Sequence, residues 1–269
     1  MLFATSVKSL RVFSNQPAPT LSYLTRPCKV PSPFRPNRVA SVTNRKIITE
    51  ARLSEMPLKL HYFGLPGRAE TSRICLTIGK VPYEDVIYEF KTWQEHKAKM
   101  PFGQVPVLEL EDGKMLAQSG AIERYVAKLA GLYPDDPLQA ALADQAAFQM
   151  SDILELFTPT FQMSPEEKVK ARQEILATKG KEKMLYLSKL LETSGEYVAG
   201  DKLSYGDIVI FATLSNLVSG FMDGVPKDLL DEYPVLKAFR NKIASIPAVK
   251  EHYEKHGEGY RAAFKPDAA

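Results

Sequence analysis

Tyr62 and Arg68 stand six residues apart in the run Leu60-His61-Tyr62-Phe63-Gly64-Leu65-Pro66-Gly67-Arg68-Ala69-Glu70. Leu58, Leu60 and Tyr62 alternate, as one face of a strand does. Gly64 breaks the strand. Pro66 suits the first turn of a helix, where its missing N–H would have no intrahelical partner anyway. A phenol at a strand end and a guanidinium at a helix start then converge on one small site. Such a site suits a thiolate or another small anion.

The elements around this run alternate. A strand over 58–63 is followed by a helix from about Pro66 to Gly79, a strand near Tyr83–Tyr88 and a short helix from Trp93 to Lys99. Residues 105–110 read as a third strand, Asp112-Gly113 as a hairpin turn and 114–117 as a fourth strand. Ser119 is placed to cap a helix running to about Ala130. The order βαβαββα over residues 56–131 gives a small α/β domain with a mixed sheet. Residues 131–137 (GLYPDDP) form a linker by composition.

Residues 138–269 read as all helical. One helix covers 138–157. A second long one covers 165–193, with Ser164 as cap and acids in its first turn. Ser204-Tyr205-Gly206-Asp207 opens another with a capping-box acid, and a further helix runs from about Pro234 to Ile246.

Composition narrows the function classes. The chain has 269 residues, 45% hydrophobic and 25% charged, and no apolar run long enough for a transmembrane helix. The net charge of +3 hides an asymmetry: residues 1–55 carry nine basic and two acidic residues, leaving 56–269 at −4. The folded part is therefore mildly acidic, which argues against a nucleic-acid surface. Residues 1–55, rich in Ser, Thr, Pro and Arg with no acid before Glu50, have the composition of an organellar transit peptide, a plastid being favoured over a mitochondrion. A disordered tail on a cytoplasmic protein and an alternative start at Met56 are the other readings. Cys28 and Cys75 cannot build a disulfide framework.

The quoted run, the Trp93–Lys97 segment, Pro101-Phe102-Gly103-Gln104-Val105-Pro106-Val107-Leu108, Gln118-Ser119-Gly120-Ala121-Ile122 and Ser204-Tyr205-Gly206-Asp207-Ile208 occur in the order and spacing of one family. In these motifs residues 56–269 resemble the glutathione transferases, the sigma class most closely. The resemblance implies a thioredoxin-like α/β domain joined to an all-α domain, a homodimer, and glutathione as co-substrate for conjugation to small hydrophobic electrophiles in detoxification. A glutathione-dependent isomerase of the prostaglandin D synthase type and a non-catalytic relative are the rival readings.

By resemblance, Tyr62 donates a hydrogen bond to the glutathione sulfur and so favours thiolate over thiol. A free thiol is mostly protonated at neutral pH, so this matters for rate. Arg68 supports the thiolate, although pairing with Glu70 is the competing account. Val105, before the family's cis-proline corner at Pro106, offers its backbone to the cysteinyl unit. Gln118 and Ser119 hold the γ-glutamyl carboxylate at a helix start. Trp93 and Lys97 hold the glycyl carboxylate, with Gln104 where some members carry a lysine. Asp152 matches an acid that reaches the partner subunit's glutathione amine, and equally suits a solvated helix face. The second substrate's pocket lies between the domains, with Met150, Leu154, Phe157, Phe161 and Met163 as candidates. No metal site is expected: His252 and His256, four residues apart, read as solvent-facing, and His61 as structural.

Overall fold

The computed structural model describes residues 57–267. The transit-peptide reading of residues 1–55, Cys28 and the alternative start at Met56 lie outside them.

Four strands form one mixed sheet in the order β2-β1-β3-β4, with β1 at Leu58–Phe63, β2 at Tyr83–Tyr88, β3 at Val107–Glu109 and β4 at Met115–Ala117. β1 runs parallel to β2 and antiparallel to β3, and β3 pairs antiparallel with β4. The β1–β2 crossover is helix α1, Glu70–Ile78, packed on one face of the sheet. Leu58, Leu60 and Tyr62 share that buried face. On the other face His61 lies within 2.8 Å of the Tyr88 hydroxyl and 3.1 Å of the Glu109 carboxylate, which also accepts from Lys59.

The first helix does not begin at Pro66. Gly67 has φ +48, outside the helical region, so a 3-10 turn over Gly67–Ala69 comes first and α1 follows. β3 is shorter than the apolar run suggests, because Pro106 has no N–H for the ladder. Helix α2 spans Trp93–Lys97 and α3 spans Ser119–Leu129.

After residue 136 the described residues are mainly helical, with one isolated bridge between Tyr197 and Gly200. Asp136 caps α4, Pro137–Phe157, accepting from the N–H groups of Leu138 and Gln139. Ser164 and Glu167 form a reciprocal capping box at the start of α5, Pro165–Ala177. The single helix expected over 165–193 is two helices. Thr178, at φ −123 and ψ −107, turns the chain out of α5, and α6 runs Lys179–Thr193. The join is tight: a Cβ on Gly180 would lie 2.7 Å from the Ile175 carbonyl oxygen.

Helix α7, Tyr205–Leu217, is apolar on nearly every side and forms the axis of the core, packed against α4 and α1. At its start the fully buried Asp207 accepts from the N–H groups of Val198 and Ser204 and from the Ser204 hydroxyl. The helix expected from Pro234 ends as α8 at Ala244, and Pro247 opens α9, Pro247–His256. A last 3-10 turn, Gly259–Phe264, buries Phe264 against Phe211 and Tyr253.

Candidate active site

The turn between β1 and α1 sets the central geometry. Tyr62 is 7% exposed, and its hydroxyl oxygen accepts the Arg68 backbone N–H at 3.0 Å. That contact occupies the oxygen and leaves the phenol proton free to donate. Burial pushes the Tyr62 pKa up, against the pull of the Arg68 N–H and of the Arg68 and Arg73 charges, so the phenol is neutral at ordinary pH. Gly67 is the residue that permits this approach. A Cβ there would sit 2.5 Å from the Tyr62 hydroxyl. Asn216 on α7 clamps the same glycine from both sides: its side chain accepts the Gly67 N–H at 3.2 Å and donates to the Gly67 carbonyl at 3.3 Å.

Arg68 is exposed, and its side chain does not pair with Glu70. Glu70 is fully buried and is taken by Arg73 at 2.8 Å, by the Tyr253 hydroxyl at 2.7 Å and by Arg261 at 3.1 Å. The salt-bridge alternative for Arg68 is therefore overturned, because stronger partners hold its acid.

Tyr62, Arg68 and Ser119 open into one cavity of about 410 Å³. Its apolar wall includes Leu154, Phe157 and Phe161, together with Phe148, Phe221 and Met222. Two of the expected lining residues are elsewhere. Met150 is fully buried in the core, and Met163 faces a separate hollow beside α5. Helical periodicity does not distinguish a cavity-facing position from a core-facing one two or three residues away.

Ser119 is not the cap of α3. Gln118 occupies that position at φ +73, a conformation that side chains rarely adopt, and Ser119 is the first helical residue. The Ala121 and Ile122 N–H groups bond to the Gln118 carbonyl, while those of Ser119 and Gly120 lack intrahelical acceptors. These free amides, beside Ser119 on the cavity wall, are donors suited to an anion.

The Val105–Pro106 bond is cis. Trp93 is half-buried against the rings of Phe63 and Tyr88. Lys97 is exposed, its stem lying over Gly103, and the neighbouring Gln104 is exposed as well. Asp152 is not brought to the cavity. It is exposed on α4 and pairs with Lys183 at 2.9 Å. His256 faces solvent, but His252 is half-buried beside Thr77, and burial lowers its pKa. Among the described residues no cluster of His, Cys, Asp or Glu could hold a metal ion.

The sequence reading missed Glu123, the only carboxylate among the described residues that lines the cavity. It lies one helical turn beyond Ser119 on the same face of α3. It also missed Arg73 and Asn216, which shape the turn. Nothing short-range marks Asn216, whose partner Gly67 is 149 residues away, and the burial that gives Arg73 and Glu123 their roles comes from packing.

Family comparisons agree with this architecture. The family model described as "Glutathione S-transferase, N-terminal domain" matches residues 58–128, and "Glutathione S-transferase, C-terminal domain" matches residues 151–256. A hematopoietic prostaglandin D synthase from Gallus gallus is 34% identical over 197 residues, covering 73% of this chain and 95% of the relative. A glutathione S-transferase P from Caenorhabditis elegans is 34% identical over 216 residues, covering 78% and 96%. The solved structure of rat hPGDS complexed with a quinoline is 30% identical, with TM-score 0.67 over 74% of this chain and 96% of that one. The chain belongs to the glutathione S-transferase family. It is an enzyme with a thioredoxin-like N-terminal domain and an all-helical C-terminal domain, and glutathione is its co-substrate.

Proposed function

We propose that this enzyme conjugates the glutathione thiolate to small apolar electrophiles, with Tyr62 as the hydrogen-bond donor to sulfur. The carrying observation is the Arg68 N–H on the Tyr62 hydroxyl oxygen, which directs the phenol proton away from the turn and towards the cavity. The thiol proton leaves to solvent. Sulfur then attacks the electrophilic carbon, a C–S bond forms, and the leaving group departs or a π-bond pair moves onto the electrophile. The Arg68 guanidinium adds positive charge beside the thiolate. Gln118, Ser119 and the free amides of α3 take the γ-glutamyl carboxylate, Val105 the cysteinyl backbone, and Trp93, Lys97 and Gln104 the glycyl end. The apolar wall receives the electrophile.

Each unit by which the bound thiol pKa falls needs about 1.4 kcal/mol, within reach of one charge-assisted hydrogen bond. Tyr62→Phe should keep glutathione affinity and lower turnover roughly 100-fold, the scale of losing one aimed donor. Unchanged turnover in that variant would remove the role given to Tyr62.

A second reading is glutathione-dependent isomerisation, favoured by the 34% identity to a prostaglandin D synthase. The thiolate site is common to both, so assays with an isomerisable endoperoxide and with a generic electrophile separate them. We place the enzyme nearest the sigma class, in detoxification, as a homodimer for which the exposed Phe102 provides apolar surface. In that dimer Asp152 would exchange Lys183 for the partner's glutathione amine. Sedimentation gives the oligomeric state, and N-terminal sequencing of the native protein decides between an imported precursor and a start at Met56.

A further inference from the structure

The turn that carries Tyr62 and Arg68 is held by its carbonyls. Arg73, 2% exposed, donates to the Phe63 carbonyl at 3.4 Å, the Leu65 carbonyl at 3.0 Å and the Pro66 carbonyl at 3.3 Å. Arg261, from the last 3-10 turn, reaches the remaining one, the Gly64 carbonyl, at 3.5 Å. Four consecutive carbonyls thus face two guanidinium groups. Between those groups lies the Glu70 carboxylate, which accepts from Arg73, from Tyr253 and from two nitrogens of Arg261 at 3.1 and 3.4 Å. Burial works against an ionised Glu70, but Arg73 and Arg261 outweigh it and hold the carboxyl below its usual range.

The two arginines are anchored differently. Arg73 is also tied to Asp85 on β2 at 2.7 Å. Arg261 donates to Glu70 and to the Gly64 carbonyl. Without Arg261, Glu70 still has Arg73 and Tyr253, so the buried acid stays partnered. What is lost is the grip on Gly64, the residue between Phe63 and the turn that aims the Arg68 N–H.

We propose that Arg261 is a positioning residue for the thiolate site, held in place by Glu70 and acting through the Gly64 carbonyl to fix the Tyr62–Arg68 contact. This rests on the role given to Tyr62 above. It makes the C-terminal turn a working part of a site whose other residues lie before residue 124 or in the helical core.

The test compares the wild type with Arg261→Ala, Arg261→Lys and Tyr62→Phe. It reads the ultraviolet absorbance of bound glutathione thiolate against pH, with kcat/KM over the same range. Arg261→Ala should raise the bound thiol pKa by about one unit, so that kcat/KM for the electrophile at saturating glutathione falls by up to about tenfold below the wild-type thiol pKa and recovers at alkaline pH. Glutathione affinity should stay within about twofold, and Arg261→Lys should restore about half of the shift. An unchanged thiol pKa in Arg261→Ala, or a loss equal at every pH, overturns the proposal, since general damage to the fold gives the latter. If Arg261→Ala does not fold, Arg261→Lys and Arg261→Gln carry the same readout, and an unshifted thiol pKa in both overturns it. A thiol pKa unaltered by Tyr62→Phe overturns the role of Tyr62 and this proposal with it, whereas a shift in Tyr62→Phe alone overturns only the role of Arg261.

Discussion

Replacing Glu123 by Gln should flatten the fall in stability on the alkaline side. The Glu123 carboxyl is half-buried at the edge of the cavity, and burial pushes its pKa up to about 7. Arg124 and Arg68 oppose that shift only in part. The Arg124 guanidinium is already committed to Asp144 at 2.8 Å and to the Gly120 carbonyl at 2.7 Å. Unfolded, the same carboxyl titrates near 4.5.

The sign follows from linkage. The native state holds this proton more tightly than the unfolded state does. The favourable contribution is thus fully present below about pH 4.5 and is lost as pH rises through about 7. Integrated from about pH 5 to about pH 8, the loss is roughly 2–3 kcal/mol, an upper value because the cavity wall can relax. The carboxamide of the Glu123→Gln variant has no such titration. Urea unfolding of both proteins across this range should give profiles that diverge by that amount, with Glu123→Gln relatively more stable at high pH. Parallel profiles would refute the argument that burial dominates at this carboxyl.

Two further outcomes follow from close contacts. Gly67→Ala forces a side chain into the left-handed region and towards the Tyr62 hydroxyl. It should destabilise by roughly 1–2 kcal/mol and reduce turnover about as much as Tyr62→Phe, measured by kcat/KM beside a thermal melt. Asp207→Ala strips acceptors from two buried N–H groups and a hydroxyl. It should lower unfolding free energy by roughly 3–5 kcal/mol in urea, and a change below about 1 kcal/mol would contradict the network described.

Local chemistry made much of the fold legible. Alternation marked β1, and Ser164 and the Ser204–Asp207 pair marked helix starts, because caps act within four residues. The hairpin turn at Asp112-Gly113 likewise joins β3 to β4. The break at Thr178 was hidden, since Ile175 to Lys181 contains no proline and the turn depends on Gly180 packing against Ile175. At the site, Tyr62 and Arg68 stood out because strand end and helix start are both local signals. Arg73, Asn216, Glu123 and Arg261 did not, because each gains meaning only from a partner brought up by tertiary packing. The same limit placed Met150 and Met163 on a cavity wall they do not line.

Gln118 holds a backbone conformation at φ +73 that glycine would adopt freely. Keeping a carboxamide there leaves the native state with an internal stress of order 1 kcal/mol. A laboratory population selected for heat tolerance alone should drift towards glycine at this position and, with the role proposed for Gln118, weaken its hold on the tripeptide. One selected for turnover should keep the glutamine. On that proposed role, thermal endurance and co-substrate binding pull in opposite directions at this residue.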